Sequence, residues 1–243
     1  MTEISPSEAP GRRPSLILGL VGWGAAILLL GIVLAVWSLV SLRSDMRLFL
    51  PPPFQVFDAF GKLLDEPRIW SAVIAALRGW LLGFAPAAIL ALALGVLAGR
   101  FRAAGAVVGP SLMVFGALPV TLLPVLFILW FGFAGDERAS VTGGLLAFFP
   151  MVAITAYAQG SNEAARRWAG LFGALEIGAV LALVGVVFAQ TLGGERDIGG
   201  MLMRASSMLD VRLLLALMVF LWLLGFLLAL PFALLRWIVG LVR

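Results

Sequence analysis

The chain has 243 residues, 62% of them apolar and only 12% charged, whereas soluble domains carry about a quarter charged residues. Cys and His are both absent, which excludes disulfides, thiolate chemistry, imidazole metal ligands and His acid–base catalysis. The formal charge of +4 rests on scattered Arg with Lys62 as the only Lys; no basic run interleaves with aromatics, so the charge suits membrane topology and lipid headgroups rather than nucleic acid.

A bilayer span needs about 20 apolar residues, and such runs recur along the whole chain. The reading is an all-α membrane protein with a single membrane domain over residues 15–243. Residues 1–14 are polar, contain Pro6, Pro10 and Pro14, and are expected to form a disordered tail. The first span covers 15–42. It follows Arg12-Arg13, carries Trp23 and Trp37 toward its ends as interfacial anchors, and lacks a cleavage site of small residues, so it is expected to be retained.

After Pro51-Pro52-Pro53, the residues Phe54, Phe57, Phe60, Leu63 and Leu64 recur at helical spacing with Asp58, Lys62 and Asp65 between them. This predicts an amphipathic helix over 54–67. It could lie at the membrane surface or dock a partner. Trp70 to Arg78 is expected to be interfacial and 79–99 to be the second span. Gly95 and Gly99, then Gly105 and Gly109, share one helix face and would allow close helix approach in lipid.

The third span, 106–133, contains Pro110, Pro119 and Pro124, with Thr121 between the last two. Broken helices at membrane depth occur where they line a cavity or are covered by protein. Pro119, Thr121 and Pro124 are therefore candidates for a pathway wall; a kinked packing helix is the alternative. The fourth span is 140–158. A short polar stretch follows, Gln159 to Gly170, and then the fifth span, 171–192, which contains Glu176 and Gln190. A carboxylate in hydrocarbon is costly, so Glu176 is expected to face a cavity, a partner chain or water, unless it reaches back to the headgroups. Residues 193–212 are polar, and 213–242 form the sixth span, interrupted by Pro231.

Six spans put both ends on one side. With the ends inside, the inner segments hold Arg12, Arg13, Arg100, Arg102, Arg166, Arg167, Arg236 and Arg243. The outer ones hold Arg43, Arg47, Lys62, Arg68, Arg138, Arg196, Arg204 and Arg212. The counts balance, but the inner loops are shorter and denser in basic residues, which favours cytoplasmic termini.

Several stretches resemble binding-protein-dependent ABC importer permeases of the nitrate/sulfonate/taurine type. Leu50-Pro51-Pro52-Pro53 with Val56 is similar to that family's "LPSP…V" segment. Ala76-Leu77-Arg78-Gly79-Trp80-Leu81-Leu82-Gly83-Phe84 and Leu94-Gly95-Val96-Leu97-Ala98-Gly99-Arg100 resemble its second span. Leu123-Pro124-Val125-Leu126-Phe127-Ile128-Leu129-Trp130-Phe131-Gly132 resembles its Pro-rich third span, and Ala147-Phe148-Phe149-Pro150 its fourth. The resemblance covers residues 50–242.

It implies a type I importer permease plan in the bacterial inner membrane. Paired permease subunits, as two copies or as one copy with a related chain, form the path. Two ATPase subunits sit beneath, and a periplasmic substrate-binding protein delivers the solute. In the family a cytoplasmic loop with Glu-Ala-Ala, a Gly and then Ile-x-Leu-Pro docks on the ATPase. The resemblance places that motif on Glu163, Ala164 and Ala165, followed by Arg166, Arg167, Trp168 and Gly170. Four residues rather than the usual three precede Gly170, and no Leu-Pro follows, so the second half of the loop is missing. Docking needs an apolar helix face; Trp168 is the one bulky anchor here, and Arg166 and Arg167 could meet an acidic rim.

No Gly-x-x-x-x-Gly-Lys-Ser/Thr occurs, so no P-loop holds ATP on this chain. No nucleophile–base constellation is visible. The expectation is a transport subunit rather than an enzyme, with no cofactor of its own and ATP bound by a separate chain. The shortened loop leaves an alternative: a permease-derived structural subunit of another membrane complex, no longer coupled to ATP.

Overall fold

A computed structural model describes residues 16–42, 49–116, 122–132, 136–193 and 197–241. Among them the chain is helical, with no strand. The helices are α1 (Leu16–Ser41), α2 (Pro53–Asp65), α3 (Pro67–Arg100), α4 (Arg102–Gly116), α5 (Leu123–Phe131), α6 (Asp136–Gln159), α7 (Ala164–Thr191), α8 (Ile198–Ser207) and α9 (Val211–Leu241). An apolar chain that cannot offer its amides to water must satisfy them internally, and helices do so. Two compact units result, residues 1–55 and 56–243.

In the first unit, the described side chains of α1 are mostly exposed, as suits a surface facing lipid or protein. Trp37 Nε1 donates to Pro51 O at 3.0 Å and ties the end of α1 to the segment before α2. The expected tail, residues 1–14, lies outside the described residues.

The second unit is a bundle in which α3 packs on α6, α6 on α7, and α7 on α9. Among the described residues, four helices are long and apolar enough to cross a membrane: Pro67–Arg100, Asp136–Gln159, Ala164–Thr191 and Val211–Gly240. Leu28–Ser41 and Arg102–Val114 are shorter apolar helices.

Two expected boundaries look different in three dimensions. Trp70–Arg78 is not a separate interfacial piece; it continues into the following residues as one 34-residue helix. Nothing between Trp70 and Gly79 breaks a helix, and an exposed Arg78 can reach the interface on its long stem. Within 106–133 the described residues hold the end of α4, a 15-residue helix, and α5 of 9 residues, while residues 117–121, with Pro119 and Thr121, lie outside the described residues.

Close backbone approach sets the packing. A Cβ at Gly143 would come within 2.6 Å of Ala182 O, and one at Gly185 within 2.7 Å of Gly143 Cα. Only glycine lets α6 and α7 sit this near each other. Of the four glycines read as one face, Gly95 and Gly99 meet α6 at Thr155 and Ala156, Gly105 meets Ala98 O, and Gly109 meets nothing within 4 Å.

Apolar side chains fill the rest. One cluster gathers Ile69, Ala72, Ala76, Val186, Ile198 and Leu217; another gathers Phe84, Ala88, Met151, Ala174 and Ala182. Trp80 bridges them, stacked on Phe84 at 4.9 Å. Its Nε1 donates to Ala179 O at 2.8 Å, so the one polar atom of a half-buried indole finds a partner.

Candidate functional site

The polar stretch after α6 forms a tight turn. Gly160 N donates to Tyr157 O at 3.2 Å and Ser161 N to Ala158 O at 3.2 Å. Glu163 takes the extended backbone that precedes a helix, its amide donates to Ser161 Oγ at 3.3 Å, and α7 begins at Ala164. Arg166 Nη2 lies 3.5 Å from Glu163 Oε2, an exposed pair one turn apart.

The expected docking residues therefore do not form a helix of their own. They are the first two turns of a 28-residue helix that runs without a break to Thr191. Trp168 is 56% exposed and stacks on Phe172 at 6.4 Å. Gly170 lies against Ala158 of α6, which closes the hairpin just above the turn. Arg167 is half-buried, while Ala164 and Arg166 are exposed. Sequence reasoning missed Tyr157, the only tyrosine of the chain. It is 90% exposed at the end of α6, beside the same turn. The signal was there: a phenol has an apolar body and a wet tip, and sits where bilayer meets water.

The candidate pathway residues are not brought together. Pro124 is buried in the first turn of α5. Glu176 and Gln190 share α7, but 14 positions apart, which is about 21 Å along a helix axis. Pro119 and Thr121 lie outside the described residues. An open groove of about 290 Å³ runs between α4 and α6, lined by Leu112, Gly116, Leu145, Phe149 and Pro150 among others. Among the described residues, Pro124, Glu176 and Gln190 do not line it.

Glu176 has a partner the sequence did not suggest. Arg236 of α9 places Nη1 2.9 Å from its Oε2, and Nη2 donates to Oε1 at 3.4 Å. The carboxylate cost expected within a span is offset by a guanidinium 60 residues away.

A second polar cluster sits at the opposite end of the hairpin from the turn. Arg138, in the first turn of α6, is only 2% exposed. Among the described residues its Nε and Nη1 find no hydrogen-bond partner, and neither does Oε1 of Gln190, which is 4% exposed. Asp197 stands just before α8. Burial pushes its carboxyl above the usual carboxylate range, Asp136 adds to that rise, and Arg138 pulls the other way. The backbone carbonyl of Gln190 lies beside Gly193 at the same end of the hairpin.

No family model matches the chain. Three relatives do. A protein assigned as the aliphatic sulfonates transport permease SsuC of Bacillus subtilis is 30% identical over 146 residues, 59% of this chain and 50% of the relative, so the match spans half the relative's length. The riboflavin transport system permease protein RibX of Chloroflexus aurantiacus is 29% identical over 85% of this chain and 80% of its own. A protein assigned as an ABC transporter permease of Haemophilus influenzae is 25% identical over 78% of this chain and 86% of its own. The chain is thus similar to ABC transporter permeases, a sulfonate-type one among them, and like a multi-pass membrane protein it carries apolar helices of membrane-spanning length.

Proposed function

We propose that this chain is the translocating subunit of an ABC importer, moved by separate ATPase subunits that grip the Gln159–Gly170 end of the α6–α7 hairpin. One observation carries the reading. The polar turn between α6 and α7 presents Glu163, Arg166 and exposed Trp168 at the start of a helix that continues unbroken into a run long and apolar enough to span a membrane. Force applied at the turn is delivered directly along α7, without a joint.

Six spans with both termini in the cytoplasm complete the plan: α1, α3, the α4–α5 pair, α6, α7 and α9. This puts the Gln159–Gly170 turn inside, where Arg166 and Arg167 add to the higher density of basic residues in the shorter inner loops. A second copy or a related permease completes the path, and a binding protein delivers the solute on the outer side. The relatives name aliphatic sulfonates and riboflavin; an aliphatic sulfonate is the first solute to try.

The shortened loop supports a second reading, a structural subunit not coupled to ATP. Glu163→Arg and Trp168→Ala separate the two. In cells that depend on the native complex for uptake of a labelled aliphatic sulfonate or riboflavin, either change should cut uptake about tenfold, the effect of about 1.4 kcal/mol lost at a docking contact. The assembled bundle should keep its yield. Unchanged uptake, in a purified complex that contains no ATPase, establishes the structural reading.

A further inference from the structure

Arg138 is the largest fully buried side chain of the described residues. A buried guanidinium without full hydrogen bonding is expensive, so its place calls for a reason. Its neighbours supply one. The space that a Cβ at Gly193 would occupy lies 2.7 Å from Arg138 Nη2 and 3.5 Å from Asp197 Oδ2. The two charges therefore face each other across a glycine that leaves the gap open.

Asp197 behaves accordingly. It is the residue before the first turn of α8, where an Asp ordinarily accepts a hydrogen bond from an amide of that turn. Here the side chain caps nothing, although its backbone carbonyl accepts from Met201 N at 2.9 Å. The carboxylate lies instead across Gly193 from the arginine, with Asp136 also near enough to act on it. Behind it, α8 is pressed onto the end of α7: a Cβ at Gly199 would come within 2.5 Å of Thr191 N and 2.7 Å of the carbonyl carbon of Gln190. Three elements meet at this corner, and Arg138 brings a charge from α6 to it.

We infer that Arg138 is a positioning residue, which seats the first turn of α8 on the paired ends of α6 and α7 by engaging Asp197 across Gly193. The pair gives the corner one arrangement rather than extra stability. Buried ion pairs are often no more stable than an apolar pair of similar size, yet they can fix register. The inference concerns the geometry of the corner and holds whichever solute the permease carries.

The absence of cysteine makes the test direct. Val141→Cys on α6 and Ser206→Cys on α8, both at exposed positions, carry spin labels on the purified full-length chain. The distance distribution between them is measured beside thermal melting. The otherwise unchanged chain should give one narrow distribution. Gly193→Ala, which keeps both charges but wedges them apart, should widen it about twofold, as should Arg138→Met. The double change Arg138→Met/Asp197→Leu should melt with the parent and still give the wide distribution. A pair that served stability alone would not behave so. A distribution as narrow as the parent's in either the double variant or Gly193→Ala overturns the inference. Gly193→Ala keeps the test decisive if Arg138→Met fails to fold.

Discussion

Glu176 and Arg236 sit on different helices, 60 residues apart, yet their charged groups meet at 2.9 Å. The pair is neither fully buried nor fully wet, so its coupling should fall between the extremes measured for such pairs, at about 1 kcal/mol. A double-mutant cycle with Glu176→Gln and Arg236→Gln, followed by melting in detergent, reads that coupling. Additive effects would remove the contact from the account. The sequence marked Glu176, because an ionised carboxyl inside an apolar run always demands a partner. It could not name Arg236, because no local spacing rule relates residues on separate helices. Arg138 was harder still. As one member of Asp136-Glu137-Arg138 it reads as a solvated turn, and only its 2% exposure shows otherwise.

At the scale of elements, the α3–α6–α7 layer is held by backbone contact more than by large side chains. Gly83 meets Ser140 O, and a methyl group there has no flexible neighbour to push aside. Gly83→Ala should therefore cost about 1–3 kcal/mol by overpacking. Gly109→Ala, with nothing within 4 Å, should be neutral or stabilise by about 0.5 kcal/mol through the lost backbone freedom of glycine. Thermal unfolding of the two variants side by side checks the contrast; equal losses would show that the glycine contacts do not set the packing. Small-residue spacing pointed to helix contact but not to which glycines make it. Helix ends were similarly half-legible. Charged residues at Arg78 and Arg166–Arg167 mark where water begins, and helices run on through both places because polarity does not break a helix while Pro and Gly can.

For the whole molecule, the antiparallel run of α6 and α7 places the Ser161 turn and the α8–α9 junction at opposite ends of the bundle. With cytoplasmic termini, Ser207→Cys should react with a membrane-impermeant maleimide in intact cells, and Ser161→Cys only after the membrane is opened. The reverse pattern would invert the topology and remove the turn from the reach of any cytoplasmic ATPase. This orientation matters to the transport reading more than any single residue does. In the proposed arrangement the Gln159–Gly170 turn is the ATPase-facing end, and the corner of Arg138 and Asp197 is its counterpart at the other end of the α6–α7 hairpin.

The composition by itself determined that this protein lives in a bilayer as helices, because a chain with 62% apolar residues can hide its amides there in no other open-ended way. The order of its motifs pointed to the permease family, and the relatives agree. The tertiary structure alone decided that Glu176 pairs with Arg236, that Arg138 faces Asp197 across Gly193, and that Ala164–Gly170 is the end of a long helix rather than a separate one. The reason is physical. Hydropathy is additive along a chain and is read locally, whereas a charge pairing or a backbone contact depends on which helices become neighbours, and that is settled only when the whole bundle packs.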